Sequence, residues 1–161
     1  MESKEAQERI LTFSLGRERY GLPLEFVESI EPRSTITPLP NSPHFLVGIF
    51  SVRGKVIPVM SLRLRLGIEP VAEQAESEAD RFVIITERES HKLGLMVDAV
   101  HGVVPISSGW IESDIALITG RAGSEYLAGV LNLAGSGFVI LLDLANLLSP
   151  KERDSLEELS P

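Results

Sequence analysis

Residues 40–67 read PNSPHFLVGIFSVRGKVIPVMSLRLRLG, and this stretch decides the fold. Phe45 to Val52 is an apolar, β-branched run with Gly48 inside it. Arg53-Gly54 then supplies a reversal, and Lys55 to Met60 is a second strand-like run, so the segment predicts a two-stranded hairpin. Pro58 interrupts the second run. Proline has no N–H to give a ladder, so Pro58 belongs at a bulge or an edge, and the hairpin should be bent. Arg53 at the tip should point outward, where it is either a contact for a partner protein or a solvated turn residue.

Working outward, the pattern recurs. GIFSVRGKVIPVMSLRLRL, Gly48 to Leu66, matches GVLNLAGSGFVILLDLANLL, Gly129 to Leu148, in its opening glycine, strand, Gly54/Gly135 turn, apolar strand and leucine-rich end. Upstream, Tyr20 to Val27 aligns with Leu93 to Val100, including the glycine, the acidic residue and the closing valine. Each half therefore reads as strand, turn, strand, short helical piece, strand and glycine-opened hairpin. That order suits two similar small β-barrels rather than alternating βαβ units. A single unit over 10–148 is expected, with halves 10–68 and 81–148, a polar tail at 1–9, an acidic loop at 69–80 and a C-terminal helix or tail over 149–161.

Composition agrees. The 161 residues are 43% hydrophobic, enough for one shared core. No apolar run approaches the ~18 residues needed to span a bilayer, and MESKEAQER lacks the apolar centre of a secretion signal, so an intracellular, soluble chain is expected. There is no cysteine, which excludes disulfides and thiolate metal sites. The net charge of −8 argues against nucleic acid; the one basic cluster, Arg53, Lys55, Arg63 and Arg65, alternates along strand and turn and reads as a solvated face.

Along the chain, Ile10 to Leu15 and Glu18 to Leu22 form a first hairpin about Gly16-Arg17. Pro23 opens a short helix with Leu24, Val27 and Ile30 on one face and Glu25 and Glu28 on the other. Four prolines, Pro32, Pro38, Pro40 and Pro43, keep 31–44 extended. Glu69 to Asp80 reads as a mobile acidic loop. Arg81 to Glu87 and Leu93 to Val97 pair about a polar turn, and Val100 to Ile106 continues as strand. Ser107 to Ser124, with Trp110, is the weakest stretch, readable as a short helix or an irregular crossing. Ser149-Pro150 sets an N-cap and first-turn proline before a last amphipathic helix.

Catalytic signatures are missing from the sequence. His44, His91 and His101 show no metal-ligand spacing, LAGSG at Leu133 to Gly137 is a hairpin turn rather than a phosphate loop, and no G-x-S-x-G turn occurs. Asp98 and Asp143 sit between apolar residues and are expected to cap neighbouring turns. No cofactor or metal is expected.

At this point the residues resemble a family. Phe13 to Pro23 (F-x-L-G-x-x-x-Y-G-L-P), Val27 to Ile30 (V-E-S-I), Pro43 to Gly48 (P-x-F-x-x-G), Ser51 to Val59 (S-V-R-G-K-V-I-P-V), Gly94 to Val100 (G-L-M-V-D-A-V), Tyr126 to Val130 (Y-L-A-G-V) and Ile140 to Leu144 (I-L-L-D-L) resemble, in order, the CheW family of bacterial chemotaxis coupling proteins. The resemblance covers Ile10 to Leu148. It implies a mainly β fold of two five-stranded β-barrels on a common core, and a non-enzymatic adaptor joining the cytoplasmic tip of methyl-accepting chemoreceptors to the regulatory domain of a CheA-type histidine kinase. It further implies a cytoplasmic place at receptor arrays, without membrane insertion. By the family's motif positions, Arg53 and Gly54 meet a partner, and Leu24, Val27, Ile30, Gly48, Val100 and Val103 line a groove for the receptor tip. Ser51 replaces the family's usual Asn in that turn, and Ser29 stands where many relatives carry Glu, with Glu28 one place earlier. Adaptors of pilus motility or surface sensing share the pattern, and a small-molecule-binding β-barrel is the competing class, which would need a pocket with convergent polar groups.

Overall fold

The computed structural model describes residues 7–39, 45–68, 80–107, 111–112, 124–133 and 137–157. Its strands are β1 (Gln7–Leu15), β2 (Glu18–Pro23), β3 (Val27–Pro32), β4 (Thr37–Pro38), β5 (Leu46–Val52), β6 (Lys55–Ser61), β7 (Phe82–Arg88), β8 (His91–Val97), β9 (Ala99–Ser107), β10 (Ile111–Glu112), β11 (Leu127–Leu133) and β12 (Gly137–Leu142). Two α-helices, α1 (Leu62–Leu66) and α2 (Pro150–Glu157), and short 3₁₀ turns complete the described elements. Trp110, the tip of the LAGSG turn and residues 69–79 lie outside the described residues.

The strands form two sheets, ordered β10-β11-β12-β2-β1-β9 and β4-β5-β6-β8-β7-β3. Each has five strands of six to nine residues and a two-residue sixth, β10 or β4, at one edge. Raising every strand number of the second order by six, with β8 and β7 returning to β2 and β1 and β6 to β12, reproduces the first. The internal repeat is therefore real in three dimensions, with its members exchanged: β1 and β2 complete the sheet of β9–β12, while β7 and β8 complete that of β3–β6. The joins are the two parallel pairs, Leu141 against Gly21 and Val59 against Gly94. Both glycines are packed tight. A Cβ at Gly94 would lie 3.0 Å from methyls of Val59 and Val83, and one at Gly21 would lie 3.0 Å from Ile10 Cδ1 and 3.2 Å from Val139 Cγ1.

Alternation along the inner strands shows why their sequences read as unbroken apolar runs. On β7, Val83 and Ile85 face one cluster with Ile57, Val59 and Met96, while Ile84 faces another. On β12, Val139 and Leu141 join Ile10, Ile106, Leu131 and Leu133, while Ile140 and Leu142 turn the other way. Each sheet thus has a core of its own on one face. The opposite faces share one large cluster in which Leu11, Phe13, Tyr20 and Leu22 meet Met60, Ile84, Leu95 and Val97. Both faces of these strands leave water, so both must be apolar.

The central hairpin is bent as expected, through a bulge opposite Pro58's neighbours: Leu46 opposes Met60 and Gly48 opposes Val59, leaving Val47 extra. Pro58 itself lies one residue before the ladder with β8 begins. Two expectations are corrected. The helix foreseen from Pro23 to Ile30 is only a 3₁₀ turn at Leu24–Phe26, after which Val27–Pro32 is strand. Nor is the basic cluster one solvated face: Arg53 and Lys55 are exposed, but Arg63 and Arg65 are drawn inward from α1.

Candidate functional site

The edge strands β3 and β9 occupy equivalent places in the two sheets, and each carries a bulge. On β3, Val27 opposes Thr86, Ser29 opposes Ile85 and Ile30 opposes Ile84, so Glu28 is the extra residue. On β9, Val100 opposes Phe13, Gly102 opposes Thr12 and Val103 opposes Leu11, so His101 is extra. Although three apart in sequence, Val27 and Ile30 are two ladder steps apart and share a face; so do Val100 and Val103. Cross-strand neighbours on one face pack together, and Ile84, Leu11 and Phe13 belong to the shared core. The apolar face of that core therefore runs outward to both edges. Leu24, Val27 and Val100 are half-buried against it, and it ends in Ile30 and Val103, which are 42% and 45% exposed.

The bulges turn polar groups aside. Glu28 pairs with Lys92 Nζ at 2.8 Å, and these hydrogen bonds hold the lysine above its ordinary range. Burial and the nearby Arg19 charge push the His101 imidazole below its ordinary range.

The remaining expected residues sit elsewhere. Arg53 and Gly54 form the exposed two-residue turn of β5–β6, with φ of 52° and 79°, the left-handed pair that a tight hairpin requires. Gly48 is buried beneath β4: a Cβ there would meet the Thr37 carbonyl oxygen at 2.6 Å. Close packing of β4 on β5, rather than an open surface, is what requires that glycine. Leu24, Val27, Ile30, Val100 and Val103 thus border one core, whereas Gly48, Arg53 and Gly54 belong to the β5–β6 hairpin.

Sequence reasoning missed two clusters. Asp98 does cap a turn, accepting from Gly16 N–H at 2.7 Å, but it also accepts from the Arg63 guanidinium and, at 2.6 Å, from the backbone N–H of Asp80. It so ties the β1–β2 turn, α1 and the end of the acidic segment to one carboxylate; Asp80, read as part of a mobile loop, is anchored. Burial raises the Asp80 carboxyl. Asp143 instead accepts from the Asn146 side chain at 2.7 Å. The second cluster centres on Arg65, whose guanidinium lies 4.1 Å from the Phe45 ring centroid and donates to Tyr126 Oη and Glu152 Oε2, each at 3.0 Å. The only hint was two arginines two residues apart among leucines, a spacing that puts them on different sides of a helix. Among the described residues no group of His, Asp and Glu is placed to hold a metal ion, and no helix is long and apolar enough to cross a membrane.

Against known proteins, the CheW-like domain pattern matches residues 9–152. The chain is 33% identical to Chemotaxis protein CheW of Treponema pallidum (strain Nichols) over 160 residues, covering 99% of this chain and 92% of that protein. It is 31% identical to Protein FrzA of Myxococcus xanthus over 147 residues, covering 88% and 86%. The solved structure of scaffolding protein TtCheW from Thermoanaerobacter tengcongensis superposes with a TM-score of 0.75 at 33% identity, covering 88% of each chain. With a family match across nearly the whole chain, a shared fold and the ordered motifs in place, this chain belongs to the CheW-like domain family, the non-enzymatic scaffolds of bacterial chemotaxis.

Proposed function

We propose that the chain couples the cytoplasmic tip of methyl-accepting chemoreceptors to the regulatory domain of a CheA-type histidine kinase, in the cytoplasm at receptor arrays, through two separable surfaces. The observation that carries this reading is the pair of bulged edge strands whose Val27, Ile30, Val100 and Val103 continue the shared core to the surface. A receptor tip is a helical hairpin, and an aliphatic stripe on a helix is the natural occupant of such an exposed aliphatic edge. A scaffold without chemistry of its own transmits a signal by holding both partners, so a second surface is needed, and the β5–β6 turn at Arg53-Gly54 is the candidate for kinase and array contacts. Transient interfaces of this kind often bind in the micromolar range, about −8 kcal/mol.

Ile30→Glu and Val103→Glu test it cleanly, because both side chains are already partly exposed and the fold should tolerate the charge. Each should abolish binding of receptor cytoplasmic fragments while leaving the kinase complex intact, with circular dichroism confirming the sheets. Loss of both partners in parallel by folded variants would refute separable surfaces.

A further inference from the structure

A cleft of about 500 Å³ opens between the tips of the β5–β6 and β7–β8 hairpins and helix α2. That is within the range of roughly 300–1,000 Å³ typical of small-molecule sites. It is distinct from the edges at β3 and β9, since Leu24, Val27, Ile30, Val100 and Val103 are not among its walls.

Its lining has two chemistries. One wall is apolar, with Pro58, Leu93, Leu148 and Leu156, of which all but Leu148 are buried in the fold. The mouth carries Lys55, Arg88, Lys92 and Arg153 against a single carboxylate among the described residues, Glu89. On a chain of net charge −8, this excess of cations is a local reversal of sign, and a concave site with low-dielectric walls focuses such a field. Two of the four are engaged: Lys92 with Glu28 at 2.8 Å, and Arg88 with Glu89 at 3.4 Å. Arg153 donates to the Ala145 carbonyl at 3.3 Å, and neither it nor the exposed Lys55 has an acidic partner among the described residues.

We propose that this cleft binds a small amphipathic anion, a carboxylate on an aliphatic chain, with the tail along Leu148 and Leu156 and the carboxylate at the mouth near Lys55 and Arg153. A purely apolar ligand would leave the cations unused, and a compact hydrophilic anion would leave the aliphatic wall wet. The inference does not depend on the coupling role.

The test is a titration of the full chain with decanoate below its micelle concentration, followed by amide chemical shifts, with decanol as the uncharged comparison. Saturable shifts are expected at residues 54–58, 88–93 and 144–156. Affinity should fall at least tenfold in Lys55→Glu and in Arg153→Glu, and decanol should bind at least tenfold more weakly than decanoate. Lys55 is exposed, so its variant keeps the fold and the comparison stands even if Arg153→Glu unfolds. Absence of saturable shifts, shifts centred on β3 and β9, or equal binding to wild type and Lys55→Glu would overturn the proposal. So would shifts of these amides by the kinase regulatory domain but not by decanoate, because the cleft would then be a protein surface.

Discussion

Asp98 and Arg63 show how much one residue pair can hold. Both are buried, and the carboxylate also receives two backbone N–H groups, from Gly16 and Asp80, so its negative charge is well compensated. Removing one partner strands the other charge away from water; Asp98→Ala is expected to destabilise the chain by about 3–5 kcal/mol, measured by urea unfolding. The double variant Arg63→Met, Asp98→Leu should recover part of that loss, since the two charges leave together, while Asp80 loses the Arg63 charge 4.0 Å away; equal damage in single and double variants would show that the backbone bonds to Asp98 dominate. Arg53 is the opposite case, exposed and on a left-handed turn. Arg53→Ala and Arg53→Asn should weaken partner binding by about 1–3 kcal/mol, with the Asn variant keeping the melting temperature closer to wild type because Asn tolerates that backbone region. Titration against receptor fragments and the kinase regulatory domain, beside thermal melts, decides it, and unchanged affinity for both partners would remove Arg53 from the interface.

Among the elements, α2 is secured at its start by a reciprocal cap. Glu152 N–H donates to Ser149 Oγ at 3.1 Å, Ser149 N–H donates to Glu152 Oε1 at 2.9 Å, and the other carboxylate oxygen takes Arg65. Burial alone would raise the Glu152 carboxyl, but the Ser149 and Arg65 contacts outweigh it and hold the group below its ordinary 4.5. A carboxyl depressed in the folded state stabilises the fold above its unfolded value and loses that contribution as pH falls through the folded one. Glu152→Gln should therefore melt below wild type at neutral pH, and the gap should narrow once pH drops beneath about 4.5. A gap independent of pH would mean that Glu152 acts by packing rather than by charge. Strand β3 teaches a different lesson: its bulge places Val27 and Ile30 three apart in sequence yet on one face, and that spacing is also what a helix would show. Leu24 to Ile30 could not be assigned from periodicity for this reason.

For the whole molecule, the exchange of strands between halves sets what the linking segment must do. Its last residue, Asp80, is anchored to Asp98, so shortening the chain within 70–79 while keeping Asp80 should cost only a few tenths of a kcal/mol in closure entropy. Urea unfolding and kinase activation in a reconstituted complex check this, and loss of activation with stability intact would place a partner contact in the segment. The hairpins, the repeat, the Arg53-Gly54 turn and the cap at Ser149 were legible in the sequence, because each depends on residues a few positions apart and on period-two alternation. The pairing of β2 with β12 and β8 with β6, the burial of Arg63 and Arg65, the continuation of one core to the edges at β3 and β9 and the cleft beside α2 were decided only in the tertiary structure. Each of these joins residues distant in the chain, and local pattern carries no record of which distant partner a strand, a charge or an aliphatic face will meet.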